Sequence, residues 1–269
     1  MPENLKLLAF DTSTDRLSIA VTDGVRVWQH SGPGGAQAST TLIPAILALM
    51  AESGLGLGEL DAIAFGRGPG SFTGLRTACA VAQGLAFGAN HGAGIPVLPI
   101  DTLMAVAEEA RFQQASTSST LGDSAFRVTA LLDARMDEMY VQSYEFKSGM
   151  CTSTMGCELI RPENLVPGPA THLLVGNVFA VYAERLSAAL AAFPHAEALP
   201  TATAMLRLAP ALVAAGHCVE AALALPLYVR DKVALTTEER ALVKAHEAHE
   251  AHEAQAALAA LAAELAHPD

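Results

Sequence analysis

Positive charge is what this 269-residue chain has least of: 16 lysines and arginines stand against 28 aspartates and glutamates, a formal net charge of −12. So acidic a chain lacks the basic surface that grips a phosphate backbone, and any nucleic acid it meets must be held by something else. Cysteine is scarce as well. Cys79, Cys151, Cys157 and Cys218 form no Cys-x-x-Cys pair and no zinc-finger grouping with histidine, which predicts reduced thiols in a reducing compartment. No apolar run reads as a membrane span. The longest charge-free stretch, 77–100, is broken by Gln83, Asn90, His91 and Pro96, whereas a span needs about 20 predominantly apolar residues. Met1-Pro2-Glu3-Asn4 runs straight into a short apolar strand, without the basic and then apolar stretches of a secretory leader. The expectation is a soluble cytoplasmic protein with no membrane partner. Apolar residues at 51% and charged ones at 16% exclude a disordered chain and supply a core for one large domain or two small ones.

What is present reads as alternating strands and helices. Residues 5–10, 17–22 and 25–30 are short strands, the last two joined by the Asp23-Gly24 turn of a hairpin. After a Gly/Pro loop at 31–35, Ser39 is placed to cap a helix running to about Glu52. A strand at 61–66, a helix at 74–89 and a strand at 96–99 follow. The order β-β-β-α-β-α-β is that of a ribonuclease-H-like lobe, the building block of the actin-like ATPases. Beyond a Ser/Thr-rich stretch at 113–124, expected as a surface loop, strands are predicted at 127–133, 139–146 and 172–175 and helices at 178–192 and 202–215. The predicted organisation is an α/β chain: a first lobe (1–100), a reduced second lobe (101–235) and a helical tail (236–269). The tail is rich in Ala, His and Glu, with two basic and seven acidic residues.

Three features invite a chemical reading. The segment Gly66-Arg67-Gly68-Pro69-Gly70-Ser71-Phe72-Thr73-Gly74-Leu75-Arg76 links a strand to a helix whose unpaired N–H groups suit an anion. It lacks the Gly-Lys-Ser/Thr of a P-loop, and a tight connection packed against a neighbour explains it equally well. Asp11-Thr12-Ser13-Thr14 stands where actin-like ATPases carry a phosphate turn, with Ser13 in place of the glycine that admits phosphate. Its second-lobe counterpart is Asp133-Ala134-Arg135, also without glycine, and only Gly176-Asn177 stands near the expected adenosine-seating pair. These departures argue against autonomous ATP binding and predict no cofactor in the isolated chain. Asp11, Arg67 and Arg76 remain candidates for a nucleotide site shared with a partner. Three His-Glu-Ala units from His246 have a spacing of three, which turns successive imidazoles by about 60° around a helix, so no metal site is expected. No Gly-x-Ser-x-Gly elbow or other catalytic nucleophile emerges by spacing.

An absence of charge carries the most information. Between Arg26 and Glu52 no residue is charged, nor between Arg76 and Asp101, and each stretch holds one predicted helix. A helix with one face in water normally shows charge there. Either both helices are buried within the chain or their outer faces dock on another subunit. The reading favoured is a helix-to-helix interface formed by Leu42, Ile46, Met50, Phe72, Leu75, Ala78, Ala82 and Leu85, with Ala82→Glu as its test.

With these residues assembled, Leu8 to Thr14, Asp61 to Arg76, Asp133 to Tyr140 and Pro226-Leu227-Tyr228-Val229-Arg230 together resemble the TsaB (YeaZ) family over residues 5–235. The resemblance implies two ribonuclease-H-like lobes of the actin-like ATPase fold. It also implies a part in making N6-threonylcarbamoyladenosine at position 37 of tRNAs that read ANN codons. In that family the chain is a non-catalytic scaffold that pairs with the metal-binding transferase TsaD and is joined by the ATPase TsaE. Alone it forms homodimers through the same first-lobe helices. Contact with tRNA comes only through the complex, which also leaves room for ATP or ADP. TsaD draws its metal ligands from a His-rich helix after the strand equivalent to 96–99; here 100–107 has no histidine. Many relatives carry a His-Ser pair where Ala38-Ser39 stands. The rival reading is an enzyme in its own right, a phosphotransferase or peptidase, with Asp11 and Asp133 essential.

Overall fold

The computed structural model describes residues 4–117, 125–168, 171–186, 190 and 193–230. The His-Glu-Ala tail lies outside the described residues. Strands β1 (Leu7–Asp11), β2 (Arg16–Thr22) and β3 (Val27–Pro33) form an antiparallel meander. Helix α1 (Ala38–Ser53) leads to β4 (Ala62–Gly68), and α2 (Phe72–Gly88) leads to β5 (Val97–Asp101). Both β4 and β5 add in parallel, giving the order β3-β2-β1-β4-β5. The expected β-β-β-α-β-α-β order is observed, with two local corrections. Strand β3 runs through Pro33, so the first three residues of the expected 31–35 loop are strand. Ser39 does not cap α1: the helix starts at Ala38 with Gln37 as its N-cap, which puts Ser39 inside the first turn.

Helix α3 (Thr102–Thr117) continues directly from β5. It takes in 113–117, which the sequence reading assigned to a loop; the apolar positions Leu103, Val106, Ala107 and Ala110 are buried along it. Strands β6 (Phe126–Arg135), β7 (Glu138–Lys147), β8 (Met150–Ser153), β9 (Glu158–Ile160), β10 (Leu173–Gly176) and β11 (His195–Glu197) build a second sheet. Its order is β11-β10-β6-β7-β8, with β9 also on β7. Two antiparallel neighbours on one side of β6 and two parallel strands on the other repeat the first sheet's pattern. Among the described residues, the outer face of the second sheet is covered by turns where the first sheet has α1 and α2. Residues 178–186, expected as helix, form hydrogen-bonded turns, because the Tyr182 hydroxyl is pinned to Asp133 and to the Glu138 carbonyl. Helix α4 (Ala202–Ala214) is capped by the Thr201 side chain.

Strand alternation sorts side chains into three cores. Leu8, Phe10, Ile63 and Phe65 face outward and are covered by α1 and α2. Leu7, Ala9, Ala62 and Ala64 face inward, sharing a central core with α3, α4 and Val128, Ala130 and Leu132 of β6. Leu131, Val141 and Leu174 point away from that core and pack beneath Val178 and Tyr182. Helix α4 belongs to the second-lobe sequence yet packs on the first sheet, and its Ala202 N–H donates to Ser18 Oγ at 2.9 Å. Met1–Val229 accordingly forms one compact unit.

Candidate functional site

The C-terminal ends of β1 and β4 lie side by side, and that edge is where an open α/β sheet binds ligands. Here the edge is filled by the chain itself. Asp11, Thr12 and Ser13 are buried. The Ser71 N–H donates to the Ser13 carbonyl at 2.7 Å and Thr12 Oγ1 donates to the Gly74 carbonyl at 2.7 Å. A Cβ on Gly74 would come within 1.9 Å of the Thr12 carbonyl oxygen, and one on Gly66 within 1.8 Å of Asp11 Oδ2. Glycine is required at these two positions because the loop is pressed against the β1 turn. Of the two readings of this loop, close packing on a neighbour is the one the contacts support.

Asp11 is the chemically unusual group. Its Oδ1 accepts from both the Ser13 N–H and hydroxyl, at 2.9 and 2.7 Å, while Oδ2 is buried without a partner. Burial pushes its carboxyl from the usual 3.8 up to about 6, against the lowering pull of the two Ser13 bonds. The other two candidates for a shared nucleotide site are engaged elsewhere. Arg67 Nε pairs with Asp101 Oδ1 at 2.5 Å. Arg76 places its guanidinium 3.7 Å above the Phe72 ring and donates from Nε to the Tyr228 hydroxyl at 2.9 Å. Segment 224–228 straps this end of α2, with the Leu227 N–H on the Arg67 carbonyl and Gln83 Nε2 on the Ala224 carbonyl. So Arg67 and Arg76 are hydrogen-bonded to Asp101 and Tyr228, and neither of these contacts is with Asp11.

The second turn is equally engaged. Asp133 Oδ1 accepts from the Tyr182 hydroxyl and the Arg135 N–H, and Asn177 Oδ1 accepts from the Asp133 N–H. Arg135 then reaches Asp15 at 2.7 Å, tying the second-sheet turn to the first. Among the described residues no three metal-ligating side chains cluster. Burial raises all four cysteine thiols, Cys157 to about 12, the reverse of what a nucleophile needs.

The helical face requires correction residue by residue. Leu42, Ile46, Met50, Leu75, Ala78 and Ala82 are buried in the chain's own structure, five of them in the α1–α2 core against the sheet. Small side chains at 78, 82 and 86 are buried where α2 approaches the sheet. Leu85 is half-buried and Phe72 is 42% exposed. The arc that does face outward carries Ile43 (44% exposed) and Leu47 (51%) on α1. On α2 it carries Phe72, Ala80, Gly84 and Phe87 (73%). Apart from Arg76, which stacks on Phe72, that arc has no charge.

Residues 33–264 match the family model described as TsaD, tRNA N6-adenosine threonylcarbamoyltransferase. The chain is 35% identical over 242 residues to the tRNA threonylcarbamoyladenosine biosynthesis protein TsaB of Haemophilus influenzae, covering 86% of this chain and 96% of that one. It is 30% identical over 236 residues to the Escherichia coli protein of the same name, with the same coverage of 86% and 96%. Among solved structures, YeaZ from Pseudomonas aeruginosa is similar with a TM-score of 0.71 and 36% identity, over 83% of this chain and 99% of that one.

Proposed function

The chain belongs to the TsaB (YeaZ) family, and on that premise we propose that it is a non-catalytic subunit of the machinery that makes N6-threonylcarbamoyladenosine in tRNA. It takes part in that modification by docking on a TsaD-type subunit, and when alone it pairs with a second copy of itself. The observation that carries this reading is the arc of Ile43, Leu47, Phe72, Ala80, Gly84 and Phe87, apolar, exposed and nearly without charge on a chain whose net charge is −12. An exposed apolar patch of this kind marks an interaction surface. In this reading residues 1–100 carry the docking face and the reduced lobe at 101–235 supports it.

The non-catalytic part of the proposal rests on the filled sheet edge. Where a phosphate would approach β1 and β4, Ser71 and Thr12 already satisfy the backbone groups, and Asp133 is engaged by Tyr182 and Arg135. The test is light scattering after size exclusion, on the chain alone and mixed with TsaD from its own organism. The expected result is a homodimer that gives way to a one-to-one heterodimer, and Leu47→Glu should prevent both while the fold is kept. A folded Leu47→Glu variant that still binds TsaD would remove the docking assignment. ATP binding by the isolated wild-type chain would remove the non-catalytic one.

A further inference from the structure

A second feature lies in the other lobe, away from the filled sheet edge. A cavity of about 890 Å³ opens between α3, the far end of α4 and the β7–β8 hairpin. Its walls include Phe126 at the start of β6, Phe146 and Lys147 at the end of β7, and Leu212, Ala214, Ala215 and His217 at and just past the end of α4. Asp133 is seven residues along β6 from Phe126, roughly 23 Å at strand rise. None of Asp11, Arg67 or Arg76 lines the cavity. Its volume is within the range of small-molecule sites, about 300–1,000 Å³.

Its lining is built in a particular way. The buried Glu108 carboxylate is gripped by Arg111 through Nε and Nη2, at 2.7 and 2.9 Å, and by Arg207 through Nε at 2.8 Å. Arg207 Nη2 also binds Glu109, whose Oε2 accepts from Thr201. The two guanidiniums lie over aromatic rings, Arg111 5.4 Å from the Phe146 centroid and Arg207 4.1 Å from that of Phe112. Both cations are therefore held in place before any ligand arrives, which reduces the ordering a ligand would require. Glu108 is the acidic residue of the lining, against Arg111, Arg207 and Lys147, and with Glu109 paired to Arg207 from behind the cluster keeps one positive charge, that of Lys147. Net positive lining on a chain of net charge −12 is a local reversal of sign, and a recess with low-dielectric walls focuses such a field. Lys147 and His217 are exposed at the rim and make no ion pair among the described residues. Met104, Phe126, Phe146, Leu208 and Leu212 supply apolar wall, and Ser148 and Thr152 of the hairpin add uncharged polar groups.

We propose that this cavity binds a small amphipathic anion, its apolar body between Phe126, Phe146, Leu208 and Leu212 and its anionic group at the cationic rim of Lys147, Arg111 and Arg207. Cys151 also lines the wall, but it contributes apolar surface only, because burial keeps its thiol protonated. The site is independent of the docking face, so its test does not depend on TsaD.

The probe is anilinonaphthalene sulfonate, an aryl body carrying a fixed negative charge, titrated into the full chain by fluorescence and by calorimetry for stoichiometry. Uncharged N-phenylnaphthylamine supplies the body alone and inorganic sulfate the charge alone. The expected result is saturable one-to-one binding of the dye, with each partial probe weaker by at least about tenfold. Lys147→Glu, a change at an exposed position that leaves the fold intact, should weaken the dye by about tenfold or more. Ala211→Trp should abolish binding by filling the cavity, and Leu47→Glu should leave it unchanged. Equal dye affinity in wild type and Lys147→Glu overturns the proposal, as does equal affinity for the uncharged amine. Loss of binding in Leu47→Glu overturns it too, by placing the dye on the helical face.

Discussion

Asp11 supports a prediction with a sign and a size. In the folded chain its carboxyl titrates near 6, against a usual 3.8, because Oδ2 is buried with no donor to hold its charge. Between those two pH values the folded state keeps a proton that the unfolded state has released. Stability from this group is therefore fully present below about pH 4 and is lost as pH rises through about 6. A difference of about two pKa units corresponds to about 3 kcal/mol. Asp11→Asn removes the titration and keeps an oxygen to accept from Ser13, at the expense of burying an amide N–H₂ without partners. That second effect is independent of pH, so the informative quantity is the change in the variant-minus-wild-type difference. Urea unfolding followed by circular dichroism, at fixed protein concentration, measures that difference at about pH 4 and about pH 7. All other carboxylates cancel in the subtraction. The expected result is that Asp11→Asn gains about 2 kcal/mol relative to wild type across the interval, because an unfolded carboxyl is already partly ionised at about pH 4. Two stability curves that stay parallel over the same interval would refute the reasoning, by showing that the Ser13 bonds, or water reaching Oδ2, offset the burial.

Other changes separate packing from docking. Ala82→Glu places an unpaired charge in a fully buried position and should lower stability by at least about 3 kcal/mol in urea unfolding, so it reports on folding before any partner is added. Ala80→Glu, two residues back and about 200° around the helix on the exposed side, should leave the melting temperature within a few degrees of wild type and remove homodimer formation in light scattering. Gly74→Ala drives a methyl toward the Thr12 carbonyl and should cost about 1–3 kcal/mol, read by thermal unfolding. Glu108→Ala leaves Arg207 and Arg111 without their buried partner and should cost about 3–5 kcal/mol, whereas Lys6→Ala breaks the exposed pair with Glu59 and should cost much less.

The architecture was legible wherever a local signal agreed with the tertiary result. The β2–β3 hairpin follows from Asp23-Gly24, where Asp23 Oδ1 accepts from the Val25 and Arg26 N–H groups. Strand β4, helix α2 and strand β5 follow from apolar runs bounded by glycine and proline. The misses have tertiary causes. The end of α3 reads as loop because Gln113, Gln114, Ser116 and Thr117 look like a polar connection, yet the helix is carried through by the burial of Leu103, Val106 and Ala110 earlier along it. Residues 178–186 have the apolar spacing of a helix but are drawn into turns by Tyr182, whose partner Asp133 lies 49 residues away. Strand β11 is only three residues long and exists through pairing with β10. A pairing that distant leaves no local trace.

The docking surface shows where sequence reasoning stops. An uncharged helix announces that no arc of it is built for water, but it does not say which arc meets the sheet. Both arcs of α1 are apolar, Leu42, Ile46 and Leu49 on one and Ile43 and Leu47 on the other, so spacing alone cannot assign them. What assigns them is the alternation of β1 and β4, which turns Leu8, Phe10, Ile63 and Phe65 toward the helices. The larger, continuous set of α1 then packs on those residues. The leftover arc, with Ile43 and Leu47 about half exposed, stays uncovered in the chain's own structure and is the one proposed to dock. Charge placed on the first arc acts on the folding equilibrium and charge placed on the second acts on association. Comparing Ala82→Glu with Ala80→Glu, two residues apart on one helix, therefore distinguishes a buried helix from a docked one.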